Sequence, residues 1–223
     1  MKKIAVIYTD IKDKFGLPRQ SGIVDGLTGR IVFEPEYRRI EAVRGLEGFS
    51  HIWLLWEFEG FDGESFSPTV RPPKLGGNKR VGVFATRSPN RPNPIGLSAV
   101  KLVDIDLDCA DAPVITVSGV DMKDKTKILD IKPYLPSSDR IPDAAGGFAG
   151  EIERKPLVTA FASGTADKLT DEEIEVVKKL MAEDPRPGYI DDPGRIYGMK
   201  YKSYDIRFTV SDGTAVIREI VKT

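Results

Sequence analysis

Cysteine and histidine are nearly missing from this 223-residue chain, which has one of each, Cys109 and His51. A lone thiol closes no internal disulfide and fits a reducing compartment. One cysteine and one histidine also leave too few ligands for a zinc site, so no metal is expected. No apolar run approaches the ~18 residues needed to span a bilayer, so no membrane association is expected. Two lysines at the start precede an apolar stretch that ends at Tyr8 without a small-residue cleavage pattern. That stretch reads as a first strand rather than a leader, and a cytoplasmic location follows as the expectation. There is no internal repeat and no Gly-x-Gly-x-x-Gly fingerprint, which argues against a doubly wound nucleotide-binding fold.

The most informative absence is local. Between Ser65 and Val103 there is no Asp or Glu, although the chain carries 34 acids and its average would place about six in such a window. The same window holds seven bases, Arg71, Lys74, Lys79, Arg80, Arg87, Arg91 and Lys101. With a formal charge of −1 overall, the window is +7 and the remainder −8. Six of the sixteen prolines fall here, together with Gly76, Gly77, Gly82 and Gly96. Proline fixes φ and glycine opens the left-handed region, so the stretch specifies a shape. A stiff, basic, acid-free loop suits an anionic ligand.

Around it the chain reads as short strands separated by Gly/Pro turns. Strands are expected at Ile4–Tyr8, Arg30–Phe33, Phe49–Glu59, Arg80–Ala85, Pro94–Leu107, Pro113–Val120 and Ile128–Lys132, with a helical turn at Pro35–Val43. This pattern points to a mainly β fold, a closed barrel or sandwich. After Pro136 the composition shifts. Ser137–Gly150 reads as a linker, followed by a strand near Leu157–Ala162 and one helix. Thr170-Asp-Glu-Glu173 is a capping box, Ile174, Val177, Leu180 and Met181 form the apolar stripe, and Pro185 ends it. A hairpin, Tyr204–Val210 and Thr214–Ile220, closes the chain around Ser211-Asp-Gly213. We therefore expect residues 1–150 to form a β domain and residues 151–223 a small α+β domain.

Familiar catalytic constellations are absent. His51 lies inside the most aromatic run, where a hydrogen-bonded strand histidine outweighs a catalytic one, and Cys109 reads as structural. Three loop clusters remain: Pro18-Arg-Gln20, the acid-free window, and Asp130-Ile-Lys-Pro-Tyr134. In the last, Asp130 and Lys132 share a strand face and form either an ordinary ion pair or a polar site at a strand end. Arginine's planar fork suits carboxylate or phosphate, so the clusters could hold a carboxylate-bearing, adenosine-bearing cofactor or a nucleic-acid backbone.

The motifs carry more than the composition. Leu46-Glu-Gly-Phe-Ser-His-Ile-Trp53, Val70-Arg-Pro-Pro73, Gly76-Gly-Asn-Lys-Arg-Val-Gly-Val-Phe-Ala-Thr-Arg-Ser-Pro89, Arg91-Pro-Asn-Pro-Ile-Gly-Leu-Ser98 and Leu129-Asp-Ile-Lys-Pro-Tyr134 resemble the TsaA/TrmO family. Asp184-Pro-Arg-Pro187, Asp191-Asp192, Tyr197-Gly-Met199 and the closing hairpin resemble the C-terminal domain of its longer bacterial members. The resemblance implies a single β-barrel catalytic domain with a small C-terminal α+β domain. It also implies S-adenosylmethionine-dependent N6-methylation of threonylcarbamoyladenosine at position 37, beside the anticodon of tRNA, by a homodimer with its site near the subunit interface. Carried over by position, the cofactor contacts are Pro18, Arg19, Gln20, Glu59, Gly60, Arg87, Leu97, Asp130, Ile131, Lys132 and Pro133. Glu59 and Gly60 depart from the histidine and polar residue of many relatives. Asp130, Tyr134 and Lys132 become the candidates for proton handling and charge stabilisation. Arg71, Lys74, Lys79, Arg80 and Arg91 become candidates for contact with the tRNA anticodon stem-loop. Two other readings compete: a non-catalytic RNA-binding barrel, and a methyltransferase acting on another RNA nucleoside or a small amine.

Overall fold

Six strands close into a barrel in the computed structural model, which describes residues 1–61, 66–72, 75, 79–150, 155–186 and 192–223. In chain order, β1 is Ala5–Thr9, β2 Thr28–Phe33 and β3 His51–Glu57. A small outlying ribbon comes next, β4 (Thr69–Val70) with β5 (Val81–Gly82), and then β6 (Ile95–Asp106), β7 (Val114–Ser118) and β8 (Thr126–Pro133). The barrel order is β1-β2-β7-β6-β3-β8, and every pairing in it is antiparallel. Alternation along β3 turns Ile52, Leu54 and Trp56 into the core, where they meet Ile7, Ile31, Val100, Ile115 and Ile128. Phe33, Val117 and Met122 complete the packing.

An irregularity in the β3–β8 ladder sets which way the end of β8 faces. Leu55 pairs with Asp130 but the next residue, Trp56, pairs with Ile128, so Leu129 is an inserted bulge residue in β8. A bulge inverts the in-out parity of the strand beyond it. Ile128 is therefore fully buried while Asp130 and Lys132 lie beside the outward-facing Leu55 and Trp53.

The strand expected over Arg80–Ala85 is shorter in the structure. Only Val81 and Gly82 pair with β4, and Val83–Ala85 then coils into a 3-10 turn. The Val83 N–H donates to the Pro68 carbonyl, while the Val83 carbonyl accepts from Thr86 and Arg91, so no ladder can continue.

A short turn, α1 (Pro136–Asp139), leads out of the barrel. Beyond it come β9 (Val158–Phe161), α2 (Asp171–Ala182), β10 (Tyr197–Tyr201), β11 (Tyr204–Ser211) and β12 (Thr214–Lys222), with sheet order β10-β11-β12-β9. The capping box is complete. Thr170 Oγ1 accepts from the Glu173 N–H at 3.2 Å, and Glu173 accepts from the Thr170 N–H at 3.0 Å. Strand β10 is not among the expected elements; Tyr197, Met199 and Tyr201 alternate inward from an ordinary-looking polar segment.

This second unit packs against the β1–β2 connection. Phe15 stacks on Tyr197 and Phe208, the Lys202 N–H donates to the Asp10 carbonyl at 2.8 Å, and Lys179 pairs with Asp25. Gly16, at φ +90°, comes so close to Met199 that a Cβ there would overlap the side chain. The C-terminal unit thus braces the loop that carries Pro18, Arg19 and Gln20.

Candidate active site

The loops at one end of the barrel enclose a pocket of about 480 Å³, a volume ordinary for a small-molecule site. Its walls come from the β1–β2 loop, the end of β3, the start of β6, the segment Arg87–Arg91 and the β7–β8 turn. Trp56, Phe58 and Phe61 supply flat apolar surface, joined by Leu17, Pro18, Ile95 and Met122. Five bases (Lys14, Arg19, Arg87, Arg91, Lys123) and two acids (Glu59, Asp121) border it. Aromatic walls with charges of both signs match a ligand that has a planar base, a cationic centre and a carboxylate.

The floor is built from three linked side chains. Trp56 lies directly over Gly96, where a Cβ would approach its ring closer than 3.0 Å. That position lets the indole Nε1–H donate to Ser98 Oγ at 2.9 Å, and the Ser98 hydroxyl in turn donates to Asp121 Oδ1 at 2.6 Å. Burial pushes the Asp121 carboxyl above its ordinary value, and the Ser98 hydroxyl, backbone N–H groups and Arg87 only partly offset this. Carboxyls shifted by desolvation beside a pocket are concentrated at functional sites, which makes Asp121 a candidate.

The rim is held by specific pairs. Gln20 Oε1 accepts from Arg87, Arg19 donates to the Asp184 carbonyl at 3.2 Å, and Lys123 pairs with Glu59. The Lys123 ammonium holds the Glu59 carboxyl below its usual range. Lys14 lies 5.2 Å over the Phe61 ring. Arg91 turns back on its own loop: it donates to the carbonyls of Ser88, Val83 and Thr86, at 3.0, 3.2 and 2.6 Å. Its guanidinium therefore shapes the loop.

Among the residues expected at a cofactor, Pro18, Arg19, Gln20, Glu59, Arg87 and Leu97 are brought together in this pocket. Gly60 sits next at the rim with φ +82° but does not line it. Asp130, Ile131, Lys132 and Pro133 do not join them within this chain. Asp130 and Lys132 form a 2.9 Å ion pair on the outer wall, and Asp130, Ile131 and Pro133 border a separate shallow depression beside Tyr37 and Leu46. Tyr134 packs against Trp53 and His51 on the same outer wall, also away from the pocket. The Leu129 bulge turns Asp130 and Lys132 outward beside Leu55 and Trp53, whereas Ile131 packs against the barrel core opposite Leu54. Of the expected RNA contacts, Arg71, Lys79 and Arg80 are exposed near the outlying ribbon, Arg80 being clipped to Thr69, and Lys74 lies outside the described residues. Asp121, Met122 and Lys123 are pocket residues that the sequence pattern does not single out. The available signal is an acid between two apolar residues, Val120 and Met122, immediately after a strand.

Residues 6–140 match the family model of the tRNA-methyltransferase O N-terminal domain, and residues 155–223 match that of the TrmO C-terminal domain. The chain belongs to the tRNA-methyltransferase O family. It is similar to the tRNA (adenine(37)-N6)-methyltransferase of Escherichia coli K12, with 37% identity over 95% of this chain and 93% of the relative. The Eikenella corrodens protein of the same name is 43% identical over 78% of this chain and 97% of its own length. A crystal structure of TrmO from P. aeruginosa superposes with a TM-score of 0.79 at 29% identity, covering 99% of this chain and 95% of that one. Membership in the tRNA-methyltransferase O family assigns the enzyme class, a tRNA (adenine-N6)-methyltransferase.

Proposed function

We propose that this enzyme uses S-adenosylmethionine to methylate N6 of threonylcarbamoyl-adenosine 37 in tRNA, and that the barrel-end pocket is where it does so. The observation that carries the reading is the pocket itself: an aromatic and apolar cleft whose half-buried acid, Asp121, faces a basic rim led by Arg87. The cofactor fits these residues. Trp56 and Phe58 offer faces for adenine, Glu59 and Asp121 offer negative charge for cationic groups, and Arg19 and Arg87 offer donors for the carboxylate. When bound, it supplies a methyl group on a sulfonium, the electrophile of an in-line displacement.

The chain's own contribution is position and proton handling. A nitrogen bearing a carbamoyl group is a weak nucleophile, and it must lose its proton as the new N–C bond forms. Asp121 is placed to accept that proton: it borders the pocket, and burial makes it a stronger base than an exposed carboxylate. The Ser98 hydroxyl and the Trp56 indole behind it hold the acceptor oxygen in a fixed direction. Arg87, steadied by Gln20, is available to the threonyl carboxylate or to charge that develops on the ureido group.

Asp130, Lys132 and Tyr134 belong to this chemistry only across a homodimer. The outer wall of β8-β3-β6 carries Leu55, Trp53 and Ala99 in adjoining rows with Leu97, which is 51% exposed and also lines the pocket. An apolar row on this wall, flanked by the Asp130–Lys132 ion pair and continuous with the pocket rim, suits a second copy of this chain, whose β8 end would then approach the site. Single-turnover methyl transfer tests the substrate: tRNA with and without the threonylcarbamoyl group, under saturating cofactor. Transfer that is fast only on the modified tRNA supports the reading, whereas equal rates on both remove the threonylcarbamoyl requirement.

A further inference from the structure

Phe84 lies outside the pocket and takes no part in its floor or rim. Among the described residues it is the most exposed Phe, Tyr or Trp, with 76% of its surface open. Its backbone, by contrast, is fixed. Val83 on one side is buried, its N–H donates to Pro68, and its carbonyl accepts from Thr86 and Arg91. Phe66, also exposed, stacks beside it with the ring centroids 6.1 Å apart and an interplanar angle of 25°. The chain therefore holds a flat apolar surface rigidly in water, in the middle of a 39-residue window without a single acid. Arg71, Lys79 and Arg80 are exposed in the same window.

We infer that Phe84, backed by Phe66, is a stacking platform for an unpaired base of the anticodon loop, the one flanking the target adenosine. The inference rests on tRNA being the substrate and adds a second contact point for it. Single-stranded RNA loops are recognised through bases that stack on aromatic side chains while nearby basic residues hold the phosphates. A methyltransferase that acts on a base draws it out of the stack, which leaves its neighbour without a partner on that side. Phe84 is three residues from Arg87 at the pocket rim, so their Cα atoms are separated by at most about 11 Å. A base adjacent to the one in the pocket falls within that reach. Charge selects the occupant: an acid-free stretch of chain with several exposed basic side chains complements a polyanion, and the pre-formed backbone lowers the ordering cost of docking.

The test measures binding of the full-length protein to an anticodon stem-loop carrying the target adenosine, and to the same RNA with abasic residues on either side of it. Stacking of one base on an aromatic ring is reflected in an affinity change of about 5- to 150-fold on substitution by alanine. Phe84→Ala is expected to weaken binding to the intact loop by at least about five-fold. On the flanking-abasic loop the same substitution should change affinity less than about two-fold, and Phe84→Trp should keep the intact-loop affinity. Cofactor affinity and the salt dependence of RNA binding should not move. The inference is overturned if Phe84→Ala binds the intact loop like the parent, or loses affinity equally on both RNAs. It is likewise overturned if the substitution weakens cofactor binding or converts a dimer to monomers in mass photometry. Should the parent protein bind and methylate the loop while Phe84→Ala behaves as the parent does, only this inference falls. A parent that neither binds nor methylates it removes the tRNA reading as well.

Discussion

Replacing Gly96 by alanine should damage the fold and the pocket together, while the same change at Gly82 should do neither. Both glycines belong to the acid-free window and look alike in the sequence. At Gly96 an added methyl would fall within 3.0 Å of three atoms of the Trp56 ring, and those atoms belong to the ring body rather than to a flexible tip. The indole must tilt or the strand must move. Overpacking of this kind costs about 1–3 kcal/mol. Tilting also breaks the 2.9 Å bond from Trp56 to Ser98 inside the core, and a buried donor left alone costs about 1–3 kcal/mol more. The sum is about 2–6 kcal/mol, and at about 2–4 °C per kcal/mol for a chain of this size the melting temperature should fall by at least about 4 °C. Gly82 has φ −59° and open space around its Cβ position, so alanine there should be neutral or stabilise by up to about 1 kcal/mol. Thermal unfolding by circular dichroism compares the pair, and calorimetric titration reads cofactor affinity. A Gly96→Ala protein that melts within about 1 °C of Gly82→Ala would refute the role of the Gly96–Trp56 contact in the pocket floor.

Asp121→Asn should lose methyl transfer without losing stability. An acid whose folded value is raised favours the folded state while protonated, and that advantage fades as pH climbs from the ordinary 3.8 through the raised value. At neutral pH the amide should therefore melt no lower than the parent, and the parent's own single-turnover rate should fall as acid protonates Asp121. A variant with parental rate would exclude Asp121 as the proton acceptor. Thr170→Ala should destabilise by about 0.5–2 kcal/mol through loss of the cap. Glu173 works with it in the opposite pH sense to Asp121. Its value is lowered, chiefly by the Thr170 N–H, so its contribution is present above the ordinary 4.5 and is lost as pH falls through the lowered value. Acid unfolding of Glu173→Gln should lack that component. Leu55→Glu, on the proposed dimer wall, should give monomers by light scattering with an intact barrel; persistence of the dimer would move the interface elsewhere.

The barrel is legible in the sequence because alternation and turn chemistry agree along nearly every strand. His51 to Glu57 declares its inner face through Ile52, Leu54 and Trp56, and Thr170 to Glu173 declares a helix start in four residues. Strand β10 is hidden because its inward residues, Tyr197, Met199 and Tyr201, alternate with glycine and lysine in a stretch too short to stand out. At the site, motif position leads to Pro18–Gln20, Arg87 and Leu97 but is blind to the bulge at Leu129. A one-residue insertion in the ladder leaves no mark in the local sequence, because it is defined by the partner strand. Yet it decides which way Asp130 faces.

The acid-free window shows why a charge pattern locates a site without assigning its parts. Read as composition, its arginines are equivalent. In the fold, Arg91 is bound to three carbonyls of its own loop and Arg80 to Thr69, so these two are ligands for the protein's own loops. Arg87 keeps company with Gln20 at the pocket, and it is this arginine whose field reaches Asp121. An acid near Arg80 or Arg91 would offer those guanidiniums a competing partner and loosen the turn that presents Phe84 and Arg87. The absence of Asp and Glu therefore serves two ends under the proposed function: it complements the tRNA polyanion, and it protects the arginine contacts that hold the loop in shape. Introducing an acid separates them. Ala85→Glu, beside Phe84 but away from the pocket lining, should weaken RNA binding most at low salt while cofactor affinity holds; loss of both together would mean that the loop's shape, not its charge, had failed.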